Sequence, residues 1–231
     1  MKISVLTIMP DLFGNFLQNP VLARAVRNGA LEVEIVDIRD YAPGSFRHID
    51  DSPFGGGAGM VMRCQPVLDA LRACRERFGE QGAPASSACG EASTAREEPA
   101  LHGSHAVILS PAGRPYTQRR AHDFAKMSHL ILLCGHYKGI DHRIREHLVT
   151  REISVGDYVV SGGEIPAALL ADSIVRLIPG ALTDETSALS DSFQDGLVSP
   201  PVYTRPAEFN GWKVPDVLLS GNPRLIRAWQ D

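Results

Sequence analysis

Two glycine-punctuated segments stand close together in this chain: Leu132-Leu133-Cys134-Gly135-His136-Tyr137-Lys138-Gly139-Ile140-Asp141 and Ser154-Val155-Gly156-Asp157-Tyr158-Val159-Val160-Ser161-Gly162-Gly163-Glu164. A short apolar run at 130–134 leads into the first, and 152–154 closes another at the second, as buried strands typically end. A glycine there lets the backbone turn tightly and leaves main-chain N–H and C=O groups within reach of a small molecule, with no side chain between. Any one of these glycines reads most simply as a turn residue. Two such loops so close in sequence weaken that reading and favour a ligand held by backbone.

Other chemistries find less support. No G-x-G-x-x-G opens a helix after a strand and no G-x-x-x-x-G-K-[ST] occurs, which argues against dinucleotide and nucleoside-triphosphate sites. Cys64, Cys74, Cys89 and Cys134 lack the paired spacing of a zinc site, so reduced thiols and a cytoplasmic location are expected. His102, His105, His142 and His147 come without H-E-x-x-H or C-x-x-C, and no metal ligation is expected of them. A net charge of -4 excludes a globally basic nucleic-acid coat. Arginines nevertheless cluster at 72, 75 and 77, at 114, 119 and 120, at 143 and 145, and at 224 and 227. Such clusters are solvated helix faces or local grips for phosphate.

The elements that position these loops follow from periodicity. Residues 2–8 and 31–38 read as strands flanking a helix at 21–28, a β-α-β start. A helix at 65–78 has Pro66 in its first turn and Val67, Leu68, Leu71 and Phe78 on one face. Short strands at 106–109, 130–134 and 152–155 alternate with helices at 117–127 and 141–147, which predicts an α/β fold with a mostly parallel sheet covered on both faces. The helix at 165–178, opened by Pro166 and apolar on more than one side, is expected to be buried, in part against a second copy.

With 231 residues, 44% apolar and 22% charged, there is material for one well-packed domain and a small appendage. The stretch 80–104 lacks periodicity and reads as a surface insertion. Beyond Gly180 the chain turns acidic through Asp184, Glu185, Asp191 and Asp195, as a mobile linker would. The expected organisation is a domain at 1–179, a linker at 180–196 and a short, mainly helical module at 197–231, with a helix at 223–229. The opening residues are apolar too briefly for a signal peptide, and no stretch reaches membrane-spanning length, so no membrane partner is expected.

Further ordered motifs carry a resemblance. They are Asp50-Asp51-Ser52-Pro53-Phe54-Gly55-Gly56-Gly57-Ala58-Gly59-Met60, Leu109-Ser110-Pro111-Ala112-Gly113-Arg114, Arg176-Leu177-Ile178-Pro179-Gly180 and Tyr203-Thr204-Arg205-Pro206. Together with the two opening loops they make the chain resemble the bacterial tRNA (guanine-N1)-methyltransferases of the TrmD type, in the SPOUT superfamily. The resemblance implies a deep trefoil knot, an obligate homodimer with active sites at the subunit boundary, and S-adenosylmethionine bound by three loops. By position, Leu109, Ser110 and Pro111, then Gly135, Tyr137 and Gly139, then Val155, Gly156, Asp157, Tyr158, Val159, Val160, Gly162 and Gly163 would line the cofactor pocket.

The implied reaction is methylation of N1 of guanosine 37, beside the anticodon of tRNA. It needs a general base for the N1 proton and a cation for the charge that grows on O6. The resemblance assigns these roles to Asp191, in Ser190-Asp191-Ser192-Phe193, and to Arg176. Asp191 would reach the cofactor held by the other subunit. From the residues alone, Asp191 is a solvated loop acid and Arg176 a helix-end charge. The Gly55-Gly56-Gly57 run follows no evident strand and lacks the lysine and hydroxyl of a phosphate loop, so it is expected to be a cover over the site or a tRNA-facing loop. Arg205, Lys213 and the C-terminal module would contact tRNA, and no DNA partner is expected.

Lys138 stands where many members have an acid, so no role is carried over to it, and Ser199 also replaces a frequent acid. Magnesium accompanies the activity in the family, but no metal cage is recognisable in the sequence. Two alternatives belong with this reading: another SPOUT RNA methyltransferase acting on the ribose 2'-hydroxyl, and a catalytically inactive RNA-binding relative.

Overall fold

The computed structural model describes residues 1–79, 103–182, 192–193 and 197–230. Most of the 80–104 insertion lies outside them, as do Cys89, His102, Asp184, Glu185, Asp191 and Asp195. The chain separates into two compact units, Met1–Thr183 and Asp184–Asp231.

The first unit is built on strands β1 (Lys2–Thr7) and β2 (Glu32–Asp37), the short strands β3 (Asp50–Asp51) and β4 (Val61–Met62), then β5 (Ser104–Pro115), β6 (His129–Cys134) and β7 (Arg151–Ser154). Five of them form one sheet in the order β2-β1-β6-β5-β7, every neighbouring pair parallel. The helices between them are α1 (Phe13–Phe16), α2 (Pro20–Arg27), α3 (Cys64–Arg77), α4 (Gln118–Ala125), α5 (His142–His147) and α6 (Glu164–Val175). The sheet and its alternating helices give the expected α/β class.

Strands β1 and β6 are buried along their whole length, as the apolar run 130–133 of β6 requires when helices cover both faces, and in β1 Ser4 and Thr7 are buried beside Ile3, Val5 and Leu6. Alternate residues serve opposite cores. Ile3, Val5, Leu130 and Leu132 pack with Leu22 of α2, Phe124 of α4 and Leu170 and Ile174 of α6. Leu6, Ile131 and Leu133 pack with Val67 and Leu71 of α3 and Ile144 of α5 on the other side. Helix starts are fixed by side chains that satisfy free backbone N–H groups: Asn19 accepts from Val21 N, Thr117 from Arg120 N, and Asp141 from Arg143 N.

Two expectations are revised here. The Gly55-Gly56-Gly57 run does follow a strand, because β3 and β4 pair antiparallel and the run lies in the loop joining them. Two polar residues, Asp50 and Asp51, are too short a strand to show any periodicity. Helix α6 stops at Val175 rather than 178, and although most of it is buried, Ile165 and Leu169 are 71% and 44% exposed.

Away from the glycine loops, the sheet carries a buried polar chain. Ser4 Oγ donates to Glu34 Oε2 at 3.0 Å and bonds His129 Nε2 at 2.9 Å, while Ser104 Oγ bonds His129 Nδ1 at 2.6 Å. Burial, helped by the positive charge of Lys2, pushes the His129 pKa down to about 4.

In the second unit a hairpin joins β8 (Glu208–Phe209) to β9 (Trp212–Lys213), followed by α7 (Asp216–Leu219) and α8 (Pro223–Gln230). Its turn is Asn210-Gly211, both with positive φ, the backbone that matches the twist of a two-residue hairpin. The hairpin adds strands to a module expected to be mainly helical. It leaves Phe209 and Trp212 exposed beside Lys213. Among the described residues no helix is long and apolar enough to cross a membrane.

Candidate active site

Three neighbouring strands, β5, β6 and β7, end side by side, and a loop leaves each. Leu109 on β5 lies level with Cys134 on one side and Ile153 on the other. The chain then makes a four-residue excursion over 110–113 and returns so that Arg114 also pairs with Ile153. Gly113 permits the return, since a Cβ there would sit 2.4 Å from the Ile153 carbonyl carbon. Within the excursion, Ser110 Oγ accepts from Ala112 N at 3.2 Å.

The loop after β6 is tied to β4: Lys138 N donates to Met60 O at 2.9 Å and Met62 N to Gly139 O at 3.0 Å. The loop after β7 starts at the sheet edge. It is braced by Ser154 Oγ, which accepts from Gly156 N at 3.2 Å. It then passes back beyond β5 to β6, where Gly163 N donates to Gly135 O at 2.9 Å.

These loops enclose a cleft of about 210 Å³, room for a small molecule rather than a lone water. From the first loop Leu109, Ser110 and Pro111 line it, and from the second Gly135, Tyr137 and Gly139. The third supplies Val155, Gly156, Tyr158, Val159, Val160, Gly162 and Gly163. Of the residues proposed from sequence, Asp157 is not in the lining. Sequence reasoning passed over His136, Lys138, Arg145, Ser161 and Pro166, which are. His136, Lys138 and Ser161 lie inside the quoted motifs, so their adjacency to the glycines was the available signal.

No carboxylate lines the cleft among the described residues. Cys134, at the end of β6, is wholly buried, and burial, followed by the charge of Glu164, pushes its thiol well above the ordinary range, so it offers no thiolate nucleophile. Tyr137 is likewise raised, first by desolvation and then by the charge of Asp50, and remains a neutral phenol. The lining therefore offers backbone groups, hydroxyls, an imidazole, the Lys138 and Arg145 cations and apolar walls. That set suits the binding of a nucleoside-like molecule better than acid chemistry.

Arg176 is placed elsewhere. It caps the C-terminal end of α6, half-buried, whereas Gly163 and Pro166 at the helix start line the cleft. At 1.5 Å per residue the two ends of α6 are about 18 Å apart, beyond the reach of an arginine side chain. Asp191 lies outside the described residues.

Comparison with known proteins adds three findings. A family model described as tRNA (Guanine-1)-methyltransferase TrmD matches residues 1–231. The chain is 45% identical over 231 residues to a protein of Listeria welshimeri named tRNA (guanine-N(1)-)-methyltransferase, covering all of this chain and 86% of that one. It is 45% identical over 230 residues to a protein of the same name from Porphyromonas gingivalis, covering all of this chain and 92% of that one. Among solved structures, the crystal structure of tRNA (m1G37) methyltransferase from Aquifex aeolicus superposes with a TM-score of 0.75 at 32% identity, covering 99% of this chain and 87% of that one.

Proposed function

The chain belongs to the tRNA (guanine-1)-methyltransferase family, and from that premise we propose how its residues transfer a methyl group from S-adenosylmethionine to N1 of guanosine 37, beside the anticodon. The cleft fits the cofactor's chemistry. A Cβ on Gly163 would stand 2.5 Å from the Cys134 backbone, and Cβ atoms on Gly156 and Gly162 would stand 2.4 Å from the Tyr158 ring and from the Glu164 and His136 side chains, so glycine keeps these segments at close quarters around the cleft. Leu109, Ser110 and Pro111, the backbone from Gly135 onward, and the loop from Val155 to Gly163 hold the cofactor. S-adenosylmethionine supplies the activated methyl group.

What the chain must add is proton removal and charge stabilisation. N1 of guanine becomes a nucleophile once its proton leaves, and with no carboxylate lining the cleft among the described residues, the base comes from another segment. Asp191 takes that proton. As negative charge spreads onto O6, the Arg176 guanidinium stabilises the transition state more than the ground state.

Both groups come from a second copy of the chain. The span of about 18 Å along α6 favours this, since Arg176 does not reach the cleft at its own helix start. So does the uncovered side of α6. Ile165 and Leu169, one turn apart and exposed, continue along the same face to Asp172 and Arg176. A homodimer that covers this strip brings the Arg176 of one protomer to the cleft of the other. The third loop's return from the edge strand β7 past β5 to the end of β6 favours a trefoil knot.

tRNA is gripped by the exposed Phe209, Trp212 and Lys213 and by Arg224 and Arg227. The loop between β3 and β4, with a fully exposed Phe54, covers the site. The enzyme works in the cytoplasm. Among the described residues no three His, Cys, Asp or Glu side chains gather as a metal cage, so these residues do not fit a protein-held magnesium.

The observation that carries the reading is the convergence of three glycine-built loops on one cleft, in a chain matched along its full length by the family. The test is incubation of the pure protein with labelled S-adenosylmethionine and tRNA transcripts bearing G or A immediately 3' of the anticodon. Label should enter only the G transcript; equal labelling of both rejects the target.

A further inference from the structure

Glu164 is the one carboxylate among the buried polar side chains of the described residues, 4% exposed, and it opens α6 directly behind the cleft wall. One oxygen, Oε1, accepts from Thr7 Oγ1 at 2.7 Å, and Thr7 Oγ1 in turn accepts from Met9 N at 2.9 Å. That half of the carboxylate is fixed to the end of β1. The other oxygen, Oε2, lies 3.5 Å from His136 Nδ1. A Cβ on Gly162 would fall 2.4 Å from both Oε2 and Nδ1, so the residue two before Glu164 is glycine where the pair needs the space.

His136 is the first side chain of the second cofactor loop and lines the cleft. Its Nδ1 is buried and makes no hydrogen bond among the described residues, so Glu164 Oε2 faces it at 3.5 Å, while about a fifth of the side chain, 21%, remains accessible. The carboxylate thus joins the end of β1, the loop after β6 and the start of α6 at one point. Burying a carboxylate costs more than it returns in stability unless its partners are well placed. A buried acid held by one hydroxyl and facing an imidazole at 3.5 Å beside a binding cleft is better suited to fixing geometry than to raising stability.

We propose that Glu164 is a positioning residue for cofactor binding, acting through His136: it locks the imidazole, and with it the loop from Gly135 to Gly139, in the form that S-adenosylmethionine meets. This rests on the reading that the cleft holds S-adenosylmethionine. With the lock released, the loop is no longer pre-organised, and ordering it on binding weakens the cofactor without touching the proton-transfer step.

The experiment uses the full chain, with Glu164→Gln, His136→Asn and the double variant. Cofactor affinity is read by calorimetric titration of S-adenosylmethionine without tRNA, and KM and kcat at saturating tRNA. Glu164→Gln keeps the shape and the bond from Thr7. It should raise Kd and KM for S-adenosylmethionine about tenfold, the worth of one such contact, with kcat and the tRNA KM within about twofold of wild type. His136→Asn should do the same, and the double variant should be no worse than either single one. An unchanged cofactor KM in Glu164→Gln, a fall in kcat at constant KM, or losses that add in the double variant would overturn the proposal. Should Glu164→Gln fail to fold, His136→Asn decides: a raised cofactor KM upholds the proposal and an unchanged one overturns it. Failure of the wild type to bind S-adenosylmethionine would instead sink the cofactor reading itself.

Discussion

Gly163 lies against the backbone of Cys134: a Cβ at Gly163 would stand 2.5 Å from Cys134 Cα and 2.9 Å from Gly135 N, and Gly163 N donates to Gly135 O at 2.9 Å. The loop that leaves the edge strand β7 is thus seated on the end of β6 by main-chain contact. This contact closes the cleft and sets the start of α6.

Gly163→Ala should therefore push the third loop off the second. The displaced atoms are backbone and cannot rotate away, so the change should weaken S-adenosylmethionine binding by at least about tenfold, the order of one lost contact. Gly14→Ala is the control, because a Cβ there meets nothing within 4 Å. Calorimetry on both variants checks this; equal affinities would mean that the loop contact does not shape the cleft.

The exposed strip on α6 makes a prediction about assembly. Ile165→Asp combined with Leu169→Asp places charge on positions that are 71% and 44% exposed in one chain, so the monomer fold should survive. Analytical ultracentrifugation should show the wild type as a dimer and the variant as a monomer, with methyl transfer lost. An active monomer would remove the need for a second copy.

His129 predicts a pH dependence of stability that is independent of catalysis. Its pKa is about 4 in the folded chain against roughly 6.5 when unfolded. Between these values the unfolded chain binds more protons, so stability is complete above about pH 6.5, falls as pH drops, and levels off below about 4. By pH 5 the loss should be about 2 kcal/mol. Urea unfolding at pH 7 and pH 5 reads it, and His129→Gln should flatten that part of the profile. A wild-type stability unchanged between the two pH values would contradict the burial argument.

Much of the fold was legible because β1 and β6 are apolar on both faces, and such runs alternating with helical periods admit few arrangements besides a covered parallel sheet. The cleft was legible because glycine is placed where neighbouring atoms must come close, backbone at Gly113 and Gly163 and side chains at Gly156 and Gly162. The outward strip of α6 was not: Ile165 and Leu169 are as apolar as the buried Leu170, and sequence alone does not say which side of such a helix lacks a neighbour. The hairpin of β3 and β4 was missed because two-residue strands have no period. The contact between Glu164 and His136 was invisible because it depends on the third loop crossing back to β6, a tertiary event with no local mark. Asp157, adjacent in sequence to lining residues, is not in the lining itself, since neighbours along an extended loop face different ways.

Complementation between protomers tests the composite site most directly. Chains carrying Gly163→Val and chains carrying Asp191→Ala, each inactive as a homodimer, are co-expressed with different tags and purified as the mixed dimer. One site in that dimer combines the intact cleft of the Asp191→Ala chain with the intact carboxylate and Arg176 of the other, so methyl transfer to the G-bearing tRNA transcript should return to about half the wild-type rate. A mixed dimer that stays inactive, with both homodimers folded, would contradict a base supplied across the subunit boundary.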